Sequence, residues 1–141
     1  MTAEDVPTVL AIEQRCYSHP WREKTFNDCL KAGYLCYVAL QQNQIKGYFV
    51  LMFALDEAQL LNVCVDADLQ RQGYGRSLLQ QAVDSGVANG ATNIFLEVRV
   101  SNNSAIELYR QFGFVEHGVR RNYYPLNDQK REDALLMAMY C

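Results

Sequence analysis

No apolar run in this 141-residue chain approaches the ~20 residues that a membrane-spanning helix needs. The first residues, Met1-Thr2-Ala3-Glu4-Asp5, are acidic and lack the basic segment and apolar core of a secretory signal. Histidine is scarce. His19 and His117 lie far apart in sequence and neither has a ligand-like neighbour, which leaves little for a metal centre or Cys–His catalysis. Basic excess is also missing: 13 Lys+Arg against 16 Asp+Glu give a net charge of −3. A nucleic-acid binder needs the opposite footprint, whereas mild acidity suits a basic peptide. The cysteines, Cys16, Cys29, Cys36, Cys64 and Cys141, are odd in number and contain no Cys-x-x-Cys pair. Neither a disulfide framework nor a zinc site fits, and free, mostly buried thiols in a reducing cytoplasm are expected. Repeats and low-complexity segments are absent.

What is there is ordinary globular composition, 50% apolar and 21% charged. Residues 1–141 are expected to form one domain, which at this size buries roughly two-thirds of its unfolded surface without a staple. Helical spacing of Val6, Val9, Leu10, Ile12 and Cys16 predicts a helix over Thr2 to Tyr17, with Pro7 early in it. A second helix is expected from Lys24 to Ala32, closed by Gly33. Strands are predicted over 34–40, 45–54 and 58–65, with a polar hairpin loop at Gln41 to Gln44. A helix over Gly75 to Asn89 carries Leu78, Leu79, Ala82, Val83 and Val87 on one stripe. A strand over 93–100, a helix over 102–112, and strands over 114–124 and 134–140 complete the chain. The order ααβββαβαββ wraps hairpins around one strand–helix–strand crossover. It predicts an α/β fold with a mixed, mostly antiparallel central sheet flanked by helices.

Three features carry chemistry. Gln70-Arg71-Gln72-Gly73-Tyr74-Gly75 stands between an apolar strand and a helix start. Gly73 and Gly75 remove side chains where backbone can approach an anion, the helix N-terminus favours negative charge, and Arg71 and Arg76 add countercharge. The turn is neither a Walker loop nor Gly-x-Gly-x-x-Gly, and a plain strand-to-helix turn reads the same way. Glu97 lies on the strand face opposite Ile94, Leu96 and Val98. It is either a general base beside a cleft or a solvated glutamate paired with Arg99. Tyr109 stands nearly two turns, roughly 10 Å, from Asn102 along one helix face. It is either a proton donor or a core aromatic. Arg120-Arg121-Asn122-Tyr123-Tyr124-Pro125 is either a binding wall or a strand end with snorkelling arginines.

Together the Gln-x-x-Gly-x-Gly turn and the later Ser101-Asn102-Asn103-Ser104-Ala105-Ile106-x-Leu108-Tyr109-x-x-x-Gly113-Phe114 resemble the GCN5-related N-acetyltransferase (GNAT) family. Ile12-Glu13-Gln14-Arg15, Pro20-Trp21-x-Glu23-Lys24-Thr25-Phe26, Leu96-Glu97-Val98-Arg99 and Arg120 to Pro125 are similar to the branch of that family acting on ribosomal-protein N-termini.

The resemblance implies a sheet with a V-shaped opening holding acetyl-coenzyme A as co-substrate, with no metal. Backbone at Val63, Cys64 and Val65 would pair with the pantetheine arm. Arg71, Gln72, Gly73, Tyr74, Gly75 and Arg76 would bind the pyrophosphate, and Asn102 would touch the cofactor further along. Glu97 matches the family's general base and Tyr109 its general acid. The implied acceptor is the N-terminal alanine amine of a small-subunit ribosomal protein in the cytoplasm, with no nucleic-acid or membrane partner. A lysine or small-molecule amine is the alternative acceptor, and a non-catalytic acetyl-coenzyme A-binding module the alternative class. Family members begin with a strand before the first helix. Here Met1 falls almost at that helix, so this edge strand is expected to be short or missing. Asp56, Glu57, Glu132 and Asp133 are expected to gather at strand ends and hold a basic peptide.

Overall fold

The computed structural model describes residues 1–70 and 72–141. Thr2 caps a 3-10 turn, Ala3–Asp5, through a reciprocal bond between its backbone N–H and Asp5 Oδ2 (2.7 Å). The α-helical ladder begins only at α1, Val6–Cys16, because Pro7 has no N–H to offer the preceding turn. Helix α2, Glu23–Lys31, ends before Gly33, whose φ of +79° needs no Cβ.

Strands β1 (Leu35–Gln41) and β2 (Gln44–Ala54) meet at Gln42 and Asn43, both with positive φ, which matches the twist of a two-residue hairpin. After β3 (Glu57–Val65), helix α3 (Tyr74–Ala88) crosses over to β4 (Asn93–Arg99). Helix α4 (Asn103–Phe112) leads to the hairpin β5 (Val115–Pro125) and β6 (Arg131–Tyr140). Strand β6 starts earlier than its apolar pattern implies. The Arg131 side chain donates to the carbonyls of Asn122 (2.8 Å) and Tyr123 (2.6 Å), extending the hairpin across polar residues.

The six strands lie in the order β1-β2-β3-β4-β6-β5, and only β3 and β4 run parallel. One apolar layer sits under α3 and α4, built on Phe49, Leu60, Leu79, Ile94 and Met137. The other sits under α1 and α2, built on Val9, Ile12, Phe26, Tyr48 and Val50. On α3 the buried stripe ends at Gly86, not Val87. Gly86 backs onto Ile94, where even a Cβ would come within 3.1 Å, and this close approach turns Val87 outward.

Two irregularities make the site. First, β3 and β4 pair only from Glu57–Asn93 to Leu60–Leu96; beyond those rungs β4 continues against β6 and leaves β3. Second, Val50 pairs with Asn62 and Leu51 with Leu60, so Leu61 is a bulge with no partner on β2. A bulge bends its strand and shifts the side-chain phase by one residue. Ala58 and Leu60 thus pack under α3, while Cys64 packs under α1. The sheet splits at that point.

The four acidic residues expected to cluster do not. Asp56 and Glu57 lie beside the start of β4, where Asp56 accepts from Thr92. Glu132 and Asp133 lie beside its end, because β6 runs antiparallel to it. The length of β4, about 20 Å, separates the pairs.

Candidate active site

Two cavities open at the split. The larger, about 460 Å³, is lined by Val63, Cys64 and Val65 of β3, Gly73, Gly75, Arg76 and Leu79 at α3, and Asn102, Ser104, Ala105, Leu108 and Tyr109 at α4. The smaller, about 180 Å³, lies between β3 and β4 and reaches α1: Glu97, Arg99 and Tyr124 line it with Glu13, Tyr17, His19 and Trp21. Tyr17, Val63, Asn102 and Tyr109 border both and form the passage between them.

The larger cavity ends on the glycine turn. Gly73, in the left-handed region at φ +86°, precedes α3, and a Cβ there would meet nothing within 4 Å. The turn is bare, and the first amides of α3 are left to an approaching anion. The Arg76 guanidinium lies 5.6 Å from the Phe112 ring centroid, on the cavity wall. The side chains of Gln72 and Tyr74 are engaged elsewhere, which leaves their backbone to the turn: Gln72 Nε2 donates to the Asp68 carbonyl (3.4 Å), and the Tyr74 hydroxyl accepts from Gln41 (3.1 Å). Arg71 lies outside the described residues. Asn102 caps α4, accepting from the Ala105 N–H (3.3 Å).

On β3 the carbonyl of Val63 accepts from Tyr17 Oη (2.9 Å), and that of Val65 accepts from Gln70 Nε2 (3.1 Å) and Cys16 Sγ (3.3 Å). A strand residue's N–H and C=O leave on one side and alternate along the chain. Val63 and Val65 therefore address the cleft, and Cys64, paired with Tyr48, addresses β2. Burial first, then Cys16, pushes the Cys64 thiol up, so it is a small core residue rather than a nucleophile.

Glu97 sits at the sheet split with its side chain 13% exposed. Its partner is Arg120 on β5, with Nε 3.0 Å from Oε1, and not Arg99. Arg99 instead crosses to β6, donating to Glu132 Oε1 (2.8 Å) and the Pro125 carbonyl (2.9 Å), with its guanidinium 4.6 Å from the Tyr124 ring centroid. The Arg99 hydrogen bond holds the Glu132 carboxyl below the usual range. Burial, followed by the charge of Glu97, raises the Tyr124 phenol to about 12.

Tyr109 is 9% exposed, edge-on to Phe114 at 5.8 Å, and at the same time borders both cavities. The core-aromatic and cleft readings are both met by one side chain. Burial, then Tyr124 and Cys64, raises its phenol well above the ordinary value, so the proton is held at neutral pH. Among the described residues no three His, Cys, Asp or Glu side chains gather as a metal site.

Sequence reasoning gave no individual role to Tyr17, to Gln70 of the glycine turn, or to Glu13. Only the last left a local signal. Glu13 extends the buried row Val6, Val9, so a carboxyl occupies a core position of an amphipathic helix.

Comparison with known proteins places this geometry. Residues 6–114 match the model of the acetyltransferase (GNAT) family. The chain belongs to the GNAT acetyltransferase family. Like other GNAT domains it is an acetyl-coenzyme A-dependent N-acetyltransferase. It is 44% identical over 135 residues to the ribosomal protein bS18-alanine N-acetyltransferase of Escherichia coli, covering 96% of this chain and 90% of that one. The Salmonella typhimurium protein of the same name is 41% identical over 139 residues, covering 99% and 93%. The crystal structure of the Escherichia coli ribosomal-protein-S18-alanine N-acetyltransferase superposes with a TM-score of 0.92 at 42% identity, over 99% of this chain and 90% of that chain. The GNAT sheet is thus the mixed α/β sheet expected, with the split between β3 and β4.

Proposed function

We propose that this acetyltransferase transfers the acetyl group of acetyl-coenzyme A to the N-terminal alanine amine of a small-subunit ribosomal protein, in one direct step. The observation that carries the reading is that Glu97 and Tyr109 border one small cavity, which shares Tyr17, Val63, Asn102 and Tyr109 with the glycine-turn cleft. The names of the relatives at 44% and 41% identity support the acceptor.

In this reading the cleft takes the donor. Its pyrophosphate lies on the amides of Gly73 to Arg76, and its pantetheine arm lies along the backbone of Val63 and Val65. The acceptor amine enters the smaller cavity. Glu97 takes its proton, directly or through water, as the nitrogen attacks the thioester carbonyl. A β3 backbone N–H facing the cleft steadies the developing oxyanion. The carbon–sulfur bond breaks, and Tyr109 gives its proton to the departing thiolate.

An α-amine is a suitable nucleophile for a carboxylate base. With a reference pKa near 7.8, about one in seven is neutral at pH 7, against about one lysine in 2,500. The difference is about 3.5 kcal/mol of ground-state demand that an N-terminal acceptor avoids.

The test is a competition. Labelled acetyl-coenzyme A is offered with an Ala-starting ribosomal peptide, a lysine peptide with a blocked N-terminus, and spermidine, and products are mapped by mass spectrometry. Label on the alanine amine supports the reading. Label confined to lysine or polyamine replaces the acceptor, and no label on any of the three rejects the proposed acceptor.

A further inference from the structure

Glu13 is buried to 2% in the α1 face that packs on the sheet, where an apolar side chain would avoid desolvation. Its carboxyl accepts three hydrogen bonds. Oε1 takes the Tyr48 hydroxyl (2.5 Å) and the Asn62 amide (2.8 Å); Oε2 takes the Trp21 backbone N–H (2.9 Å). Among the described residues no Lys, Arg or His forms an ion pair with it. A satisfied buried carboxyl can be a plain structural tie. What distinguishes this one is where its partners sit. Asn62 is the residue that resumes pairing after the Leu61 bulge. Trp21 belongs to the connection between α1 and α2, which walls the smaller cavity together with His19. Glu13 itself lines that cavity.

We infer that Glu13 is a positioning residue for the acceptor: it locks the Trp21 segment to the bulged strand and so fixes the width of the cavity in front of Glu97. The inference rests on the reading that the acceptor enters this cavity. Every partner of Glu13 is a donor, and this makes a sharp substitution possible. Glutamine would not break the tie cleanly, because its NH₂ can donate to the Tyr48 hydroxyl, which also accepts, while its carbonyl keeps the Trp21 N–H. Glu13→Leu keeps the apolar stem and accepts nothing, so it releases the Trp21 N–H.

Trp21 is the single tryptophan of the chain, so its fluorescence reports on this segment alone. The experiment compares wild type, Glu13→Leu and Tyr48→Phe. It measures Trp21 amide exchange, Trp21 emission, acetyl-coenzyme A affinity, and KM and kcat for whichever amine the wild type acetylates. Expected for Glu13→Leu are Trp21 exchange faster by about tenfold or more, acceptor KM raised about tenfold, and kcat and coenzyme affinity within about threefold. Tyr48→Phe keeps the Trp21 bond and should leave acceptor KM within about threefold, although it loosens the same core. Glu13→Asp, too short to span all three partners, repeats the test if the leucine variant fails to fold. Faster exchange with unchanged KM, unchanged exchange, or an equal KM rise in Tyr48→Phe would each overturn the inference. Failure of the acceptor assignment is separate: it appears as a different amine being acetylated by the wild type.

Discussion

Tyr17 Oη donates to the carbonyl of Val63 at 2.9 Å, across the passage between the two cavities. It ties the end of α1 to the strand segment whose N–H faces the cleft. Tyr17→Phe keeps the ring and removes the tie. A single hydrogen bond contributes about 1 kcal/mol, so acetyl-coenzyme A KM should rise roughly three- to tenfold, with a small loss in thermal midpoint. Steady-state kinetics at saturating acceptor would check it, and an unchanged KM would mean that the strand holds its own orientation.

The proton-transfer roles make a second prediction. Glu97→Gln and Tyr109→Phe should each lower kcat by about 10²–10⁴ while coenzyme affinity stays near wild type. Intact turnover in both variants at pH 7 would remove the assignment of base and acid.

Two glycines separate stability from binding. At Gly47 on β2, a Cβ would lie 2.8 Å from the Cys64 carbonyl oxygen, a backbone atom that cannot step aside. Gly47→Ala should cost about 1–3 kcal/mol, read as a lower urea midpoint. At Gly75 the nearest atom to a Cβ is Leu108 Cδ2 at 3.6 Å, an ordinary contact, and the residue already has helical backbone. Gly75→Ala should fold as well as wild type yet raise coenzyme Kd about tenfold, because the methyl enters the space proposed for the pyrophosphate. Equal affinity by calorimetry would move the phosphate site elsewhere.

How much was legible follows from the range of each interaction. The glycine turn, the crossover and the alternation around Glu97 are local patterns, and they read directly. Tyr109 read as either core or catalytic because a helix repeat cannot say that one side chain borders a cavity and a core at once. The bulge at Leu61 leaves no mark in composition. The contacts of Glu13 with Tyr48 and Asn62 join residues far apart in sequence, so their value exists only once β2, β3 and α1 are packed. Arg99 was paired with the wrong carboxylate for a related reason. Same-face neighbours on one strand compete with the strand alongside, and here β6 offered Glu132.

That last pair predicts an acid dependence. The Glu132 carboxyl is held down by Arg99, so the folded state binds its proton less readily than the unfolded chain does. The stabilisation from this charged hydrogen bond is fully present above the unfolded value near 4.3. It is lost as pH falls through the lower folded value. The difference in thermal midpoint between wild type and Glu132→Gln should be constant from about pH 8 to 5 and shrink below that. A difference that grows on acidification would contradict the sign.

The four-rung parallel pairing of β3 and β4 has a mechanical meaning. On one side of it stand β1, β2 and β3; on the other stand β4, β6 and β5. The enzyme's sheet is two three-stranded leaves joined along a short seam, and each leaf brings one wall of the split. Glu97 rides on one leaf, and the Val63 backbone on the other. A load that spreads the leaves would part Glu97 from Val63 before it unfolded either half, so on the proposed roles catalytic rate should be a more sensitive gauge of damage at the seam than any measure of global stability.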